Sequence, residues 1–353
     1  MQPHFVGLDV HKQVIACCVM NEAGEIVQEE KIKATRSALD ELVRKLPVPW
    51  HGALEATMFS HWIFEHLKPH AAVLKMGHPA RMKAITAAKN KSDRIDARTI
   101  CNLLRCNLFP ECFVMPPELA ALRQQLRFRR TLVEETVKFK NRAAGLLMEC
   151  GVEYEKKRLH GKRYFAHLTE QDEWIGAETK PLLEFSRKQI ESLQSMDRRL
   201  IAMLERHPQL KARLAALQTI DGVGPVTALN WALEVGSPAR FRSIGRAMSY
   251  CGLTSALRES AGRQRRGPLS KHRNAHLQST LIETAKLAPL FNDTLQAVRQ
   301  KALAGGANPN RATVVVARKL VAYLLAVDRA FFASLPGVPT GEMRLERHAD
   351  LSK

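Results

Sequence analysis

The chain has 353 residues and a formal net charge of +19, from 54 Lys+Arg against 35 Asp+Glu. That length exceeds one compact core and predicts two or three domains, while 45% hydrophobic residues support a folded protein and the basic excess points to a polyanionic partner. No run of about 18 apolar residues reads as a membrane span, no signal-peptide core opens the chain, and the seven cysteines contain no Cys-x-x-Cys pair, so a reduced cytoplasmic protein without a disulfide framework or zinc site is expected.

The first segment, Phe5 to Met20, is rich in β-branched and apolar residues with Asp9 embedded in it. A turn signal at Asn21–Glu25 and partial alternation from Ile26 to Ile32 extend it to a meander of two or three antiparallel strands. Ser37–Lys45 reads as a short helix, and Pro47 and Pro49 follow it. His51–Thr57 reads as a strand carrying Glu55, Phe59–Leu67 as a helix, and Ala71–Met76 as another strand. From Ala80 the pattern is helical and includes Lys91-Ser92-Asp93-Arg94-Ile95-Asp96-Ala97-Arg98. The order β-β-β-α-β-α-β-α predicts an α/β domain with a mixed sheet and flanking helices over residues 1–115.

Asp93 and Asp96 are three apart, so a helix places both carboxylates on one face. Such a pair needs a metal ion, a proton or neighbouring cations to offset its repulsion, and alone it reads as a solvated face with ion pairs to Lys91, Arg94 and Arg98. Asp9 is harder to explain blandly, because a carboxylate in an apolar strand is costly unless paired or metal-bound; the same logic applies to Glu55. Two strand acids and a helical acid pair match what two Mg2+ ions need, namely oxygen ligands from several elements converging on a phosphodiester. Mn2+ suits the same ligands.

Residues 116–207 change in texture. Glu118–Leu147 has an apolar stripe near heptad spacing and a basic remainder that includes Arg123, Arg127, Arg130, Lys138 and Lys140. A second helix spans Leu182–Arg206, and the two predict an antiparallel coiled coil or a dimer. Between them Tyr164, Phe165 and Trp174 can stack on bases or pack locally.

Residues 208–335 read as a helical domain, followed by a polar tail over 336–353. Thr219-Ile-Asp-Gly-Val-Gly-Pro-Val-Thr-Ala-Leu229 has the glycine pattern of a helix-hairpin-helix, in which Gly222 and Gly224 let a helix N-terminus approach a phosphate. A plain connector between two helices has the same look. From Gly252 to Asn274 a basic segment punctuated by glycines carries Arg258, Arg263, Arg265, Arg266, Lys271 and Arg273. It reads as a flexible phosphate-binding loop. Ser260 lies in its Gly-flanked centre, where its hydroxyl could attack phosphorus if activated. Helices are expected at Ala275–Lys286, Asp293–Ala304 and Arg311–Phe332.

Several of these stretches together resemble a known family. Gly7-Leu8-Asp9-Val10-His11-Lys12, Leu54-Glu55-Ala56-Thr57 and Lys91-Ser92-Asp93-Arg94-Ile95-Asp96-Ala97 are similar to the ordered acidic motifs of the Asp-Glu-Asp-Asp transposases of the IS110 family, including its IS1111 branch. Ile220-Asp-Gly-Val-Gly-Pro, Phe241-Arg-Ser-Ile, Tyr250-Cys-Gly-Leu, Glu259-Ser-Ala-Gly and Arg266-Gly-Pro-Leu-Ser-Lys resemble its C-terminal domain. The likeness covers about residues 4–335. It implies an RNase H-like, RuvC-like N-terminal domain, a coiled coil and a serine-bearing C-terminal domain. It also implies a recombinase that moves an insertion sequence between donor and target double-stranded DNA, guided by a structured non-coding RNA. On this likeness Asp9, Glu55, Asp93 and Asp96 hold Mg2+, and Ser260 forms a covalent 5′-phosphoserine link; Ser255 is the other serine of that segment. Recombining two duplexes needs four strand cleavages, so a homo-oligomer is expected, a dimer or a tetramer on DNA, with subunits sharing the site. A nuclease that activates water with the same acids, and a non-catalytic RNA- or DNA-binding protein, are the competing readings.

Overall fold

A computed structural model of the chain describes residues 2–85, 92–171, 173–260 and 263–335. They form two compact units that divide between Pro117 and Glu118.

In the first unit, strands β1 (His4–Val10), β2 (Val14–Met20) and β3 (Ile26–Lys33) form the antiparallel half of a five-stranded sheet. Helix α1 (Arg36–Lys45) leads to β4 (Trp50–Glu55), helix α2 (Ser60–Leu67) to β5 (Val73–Gly77), and helices α3 (Pro79–Ile85) and α4 (Asp93–Arg105) complete the unit. The strand order is β3-β2-β1-β4-β5, with β4 parallel to β1 and β5 parallel to β4. The expected mixed sheet with flanking helices is therefore present. The helical region expected from Ala80 comprises two helices among the described residues, α3 and α4; Lys91 lies outside them.

Alternation along β1 explains the layering, because successive side chains leave a strand on opposite faces. Val6, Leu8 and Val10 enter one core with Leu39 and Leu42 of α1 and Ile63 and Phe64 of α2. Gly7 faces the opposite way, under α4. A Cβ there would stand 2.2 Å from the Ala97 carbonyl oxygen and 2.6 Å from the Cys101 nitrogen. Only a glycine lets the helix backbone come this close. Ser92 caps α4 by accepting from the Ile95 amide, which sets where the helix begins.

In the second unit, α5 (Pro117–Glu149) and α7 (Lys180–Glu205) are long helices, with the short α6 (Lys162–Gln171) between them. They run antiparallel. Leu147 and Leu183 share one small core, Arg129 and Asp197 form an ion pair of 2.8 Å farther along, and Leu126 and Leu204 join the main core at the other end. Phe165 is buried at the first end, while Trp174 stays exposed.

Helix α8 (Pro208–Leu217) and helix α9 (Pro225–Val235) follow. Residues Thr227–Val235 are all buried, as expected of a helix that is apolar around most of its circumference. Helix α10 (Ile244–Tyr250) precedes strands β6 (Ser255–Ser260) and β7 (Arg263–Leu269), and helices α11 (Ala275–Leu287), α12 (Asp293–Ala304) and α13 (Pro309–Ala333) close the unit. The core gathers Leu214, Leu229, Trp231, Leu281, Leu320 and Leu324 from four of these helices. Asp328, fully buried, accepts from Arg213 and from the Trp231 indole at 2.7 and 2.9 Å.

The segment expected as a flexible loop is in part an antiparallel hairpin, β6–β7, with Arg258 opposite Arg265 in the ladder. The sequence lacks the β-branched alternation that marks a strand pair. The C-terminal half is thus not purely helical.

Candidate metal centre and basic hairpin

Four acidic residues of the first unit sit at element ends. The parallel ladder of β1 and β4 reaches Leu8 opposite Leu54, so Asp9 and Glu55 occupy the next positions side by side. Asp93 and Asp96 lie in the first turn of α4, where the helix dipole favours negative charge. Asp9 is 7% exposed. Burial pushes its carboxyl pKa up; His11 opposes this, and the charges of Asp96 and Asp93 add to it. Asp93 is more exposed and is shifted the other way, first by its hydrogen bond to Lys31.

Two residues that the sequence did not single out complete the cluster. His11 Nε2 is 3.1 Å from Asp9 Oδ2 and 3.4 Å from Asp93 Oδ1. Lys31 reaches over from β3 to donate to Asp93 Oδ2 at 2.8 Å. The ligand atoms of Asp9, His11 and Asp93 all lie within 4.8 Å of one another. The signals for both residues were faint: His11 is two positions beyond Asp9, and Lys31 shares a strand face with Glu29. Arg98 donates from Nη2 to Glu29 Oε2 at 2.7 Å, and Arg94 lies 3.8 Å from the same oxygen. These two arginines bind helix to sheet edge, because Glu29 needs a counter-charge there.

The cluster fits a hard divalent cation. A buried carboxylate flanked by two more, with its proton affinity raised, is stabilised by positive charge, and oxygen donors suit Mg2+ and Mn2+.

In the second unit, the hairpin holds Ser260 paired with Arg263 at the last described position and Ser255 paired with Leu269 at its base. The strand backbone places Arg258, Ser260, Arg263, Arg265 and Arg266; their side chains lie outside the described residues. Lys271 and Arg273 follow the hairpin and are exposed. Both line a cleft of about 1220 Å³ with Arg130, His272 and Gln278. Asn274 anchors the hairpin's exit. Its Nδ2 donates to Glu234 Oε2 at 2.7 Å and to Tyr250 Oη at 3.1 Å, and its amide donates to the Tyr250 carbonyl.

The basic residues expected along α5 differ in availability. Arg127 donates twice to the buried Glu234 at 2.7 Å, so its fork is committed to that carboxylate. Arg123 is half-buried beside it, and burial lowers its pKa. Arg130 pairs with Glu134 and Lys138 with Glu135 at the surface; such exposed pairs are weak and yield to a polyanion. Lys140 is half-buried. Gly222 has φ +88° and packs against Ala288, where a Cβ would come within 2.7 Å of Cα. Its glycine requirement is thus internal, whereas Gly224, at the start of α9, has open space around it.

Residues 6–151 match the family model of DEDD-type IS110 transposases, described as "Transposase". Residues 214–300 match that of "Transposase IS116/IS110/IS902 family". The chain is 26% identical over 291 residues to the "Probable family 20 transposase" of Pseudomonas aeruginosa, covering 80% of this chain and 82% of that one. It is 25% identical over 329 residues to the transposase for insertion sequence element IS1111A of Coxiella burnetii, covering 89% and 86% respectively.

Proposed function

The chain belongs to the IS110 transposase family, and from that premise we propose that it is an RNA-guided DNA recombinase working through a covalent 5′-phosphoserine. The activity itself is that of a DNA transposase, cleavage and transfer of DNA strands. The observation that supports its metal-dependent part is the convergence of Asp9 with Asp93 and Asp96 at one end of the sheet, beside the ladder position of Glu55; the serine and the guide RNA rest on the family likeness.

Asp9, Glu55, Asp93 and Asp96 would hold Mg2+ or Mn2+, which when bound stabilises charge on a phosphoryl oxygen and eases loss of a hydroxyl proton. Ser260 Oγ attacks the scissile phosphorus. The Oγ–P bond forms, the P–O3′ bond breaks, and the 3′ oxygen leaves with the proton. Attack by another strand's 3′-hydroxyl reverses this and releases the serine, so no external energy source is needed. The concentration of Arg258, Arg263, Arg265 and Arg266 on one hairpin supports placing a nucleic-acid backbone along it. The long helices α5 and α7 serve as the coiled coil that the likeness implies, and the glycine-marked turn before α9 serves as a phosphate contact at Gly224. A guide RNA does the base reading, which leaves backbone and shape recognition to the protein.

Incubating the chain with its donor DNA and Mg2+ should give a denaturant-resistant protein–DNA adduct that is lost in Ser260→Ala. An adduct persisting in that variant refutes the serine assignment, and hydrolysed ends without any adduct favour a nuclease. RNA copurifying with the chain should be one structured species encoded beside the element. Mixing Ser260→Ala with Asp9→Ala chains should restore activity if subunits share the centre.

A further inference from the structure

His11 is not accounted for by core packing, since its side chain is 55% exposed. Its Nε2 nevertheless lies between two carboxylate oxygens, 3.1 Å from one and 3.4 Å from the other. A ring nitrogen carries at most one hydrogen, and one hydrogen cannot point well along both lines. A cation in octahedral coordination, with donors at about 2.1 Å, sets neighbouring donors about 3.0 Å apart. Both spacings are close to that. Asp93 is oriented accordingly: Lys31 holds its Oδ2 at 2.8 Å, while Oδ1 is the oxygen nearer His11.

On the metal-site reading above, we propose that His11 ligates the divalent cation through Nε2, together with Asp9 and Asp93, and that this nitrogen makes the centre prefer Mn2+ to Mg2+. The physical basis is ligand type. Mg2+ is hard and favours oxygen and water, whereas an imidazole suits first-row transition cations. Lys31, whose charge repels either cation alike, leaves the preference to the ligand type. The later first-row cations Co2+ and Ni2+ are expected to bind more tightly still.

The test uses the full chain, stripped with chelator, and calorimetric titration with MnCl2 or MgCl2. The Mn2+-loaded protein should show directly bound nitrogen in electron spin-echo modulation. His11→Ala should abolish that nitrogen signal and reduce Mn2+ affinity by more than about tenfold, the lower end for losing even an outer-shell partner, with a smaller loss for Mg2+. His11→Asp should restore binding of both cations without the preference for Mn2+. Binding that depends on Asp9 but shows no nitrogen coupling, or coupling that survives in His11→Ala, overturns the role of His11 and leaves the acidic site standing. Absence of any cation binding that responds to Asp9→Asn overturns both.

Discussion

Replacing Glu234 by Gln removes one buried charge while keeping the side chain's size. Glu234 is 0% exposed and accepts two bonds from Arg127 and one from Asn274, each of 2.7 Å. Burial alone would raise its pKa, but Arg127 and then Asn274 outweigh burial and hold it below the usual carboxylate range. An amide in its place turns an N–H2 toward one of those donors and leaves Arg127 without its counter-charge. Breaking a buried pair costs about 3–5 kcal/mol. Arg127 is 42% exposed in its side chain, so water takes over part of its solvation and the lower end, about 3 kcal/mol, applies. For a body of this size that is a fall of roughly 6–12 °C in Tm. The folded-state pKa is depressed, so the charge stabilises fully above the ordinary carboxylate value of 4.5 and its contribution is lost as pH falls through the folded value. Calorimetry of the full chain should therefore show a large gap between wild type and Glu234→Gln at pH 7 that narrows in acid. A gap under about 2 °C at pH 7, or one that persists in acid, refutes the reasoning. Because Asn274 ends the hairpin segment, strand cleavage should fall with the same variant.

Gly7→Ala puts a methyl group into the backbone of α4 and must move Asp93 and Asp96 with it; a loss of roughly 2–3 kcal/mol and of cation affinity is expected, read by denaturant unfolding and calorimetric titration. Asp9→Asn should make the metal-free chain more stable at neutral pH. The folded pKa of Asp9 is raised, so its stabilising contribution is complete below 3.8 and is lost as pH rises through the folded value. The same variant should forgo the stabilisation a bound cation confers, about 2.7 kcal/mol at a hundredfold excess over Kd, and a less stable metal-free Asp9→Asn would contradict this. Lys271→Ala, at an exposed cleft position, should lower the slope of log affinity against log salt by about 0.7–0.9 in DNA or RNA binding; an unchanged slope removes Lys271 from the interface.

The candidate site was legible where chemistry conflicts with its local setting. Asp9 stood out because a carboxylate in an apolar strand demands a partner, and Asp93 and Asp96 because their spacing shares a helix face. Glu234 was equally odd within Trp231-Ala-Leu-Glu-Val235, but its partner Arg127 is 107 positions away, and no local pattern links the two. The hairpin was hidden because strand propensity is context-dependent and its arginines look like a solvated loop.

Sequence by itself determined the mixed sheet, the long helices and the ordered acidic motifs, since periodicity and end signals act over a few residues. Tertiary structure alone decided that Lys31 meets Asp93, because strand order and the seat of α4 on Gly7 set which distant side chains face each other. It also decided that His11 stands between two carboxylates, and that Arg127 reaches the buried Glu234. Each of these contacts depends on packing between elements far apart in the chain, where charge and burial act through space rather than along the backbone.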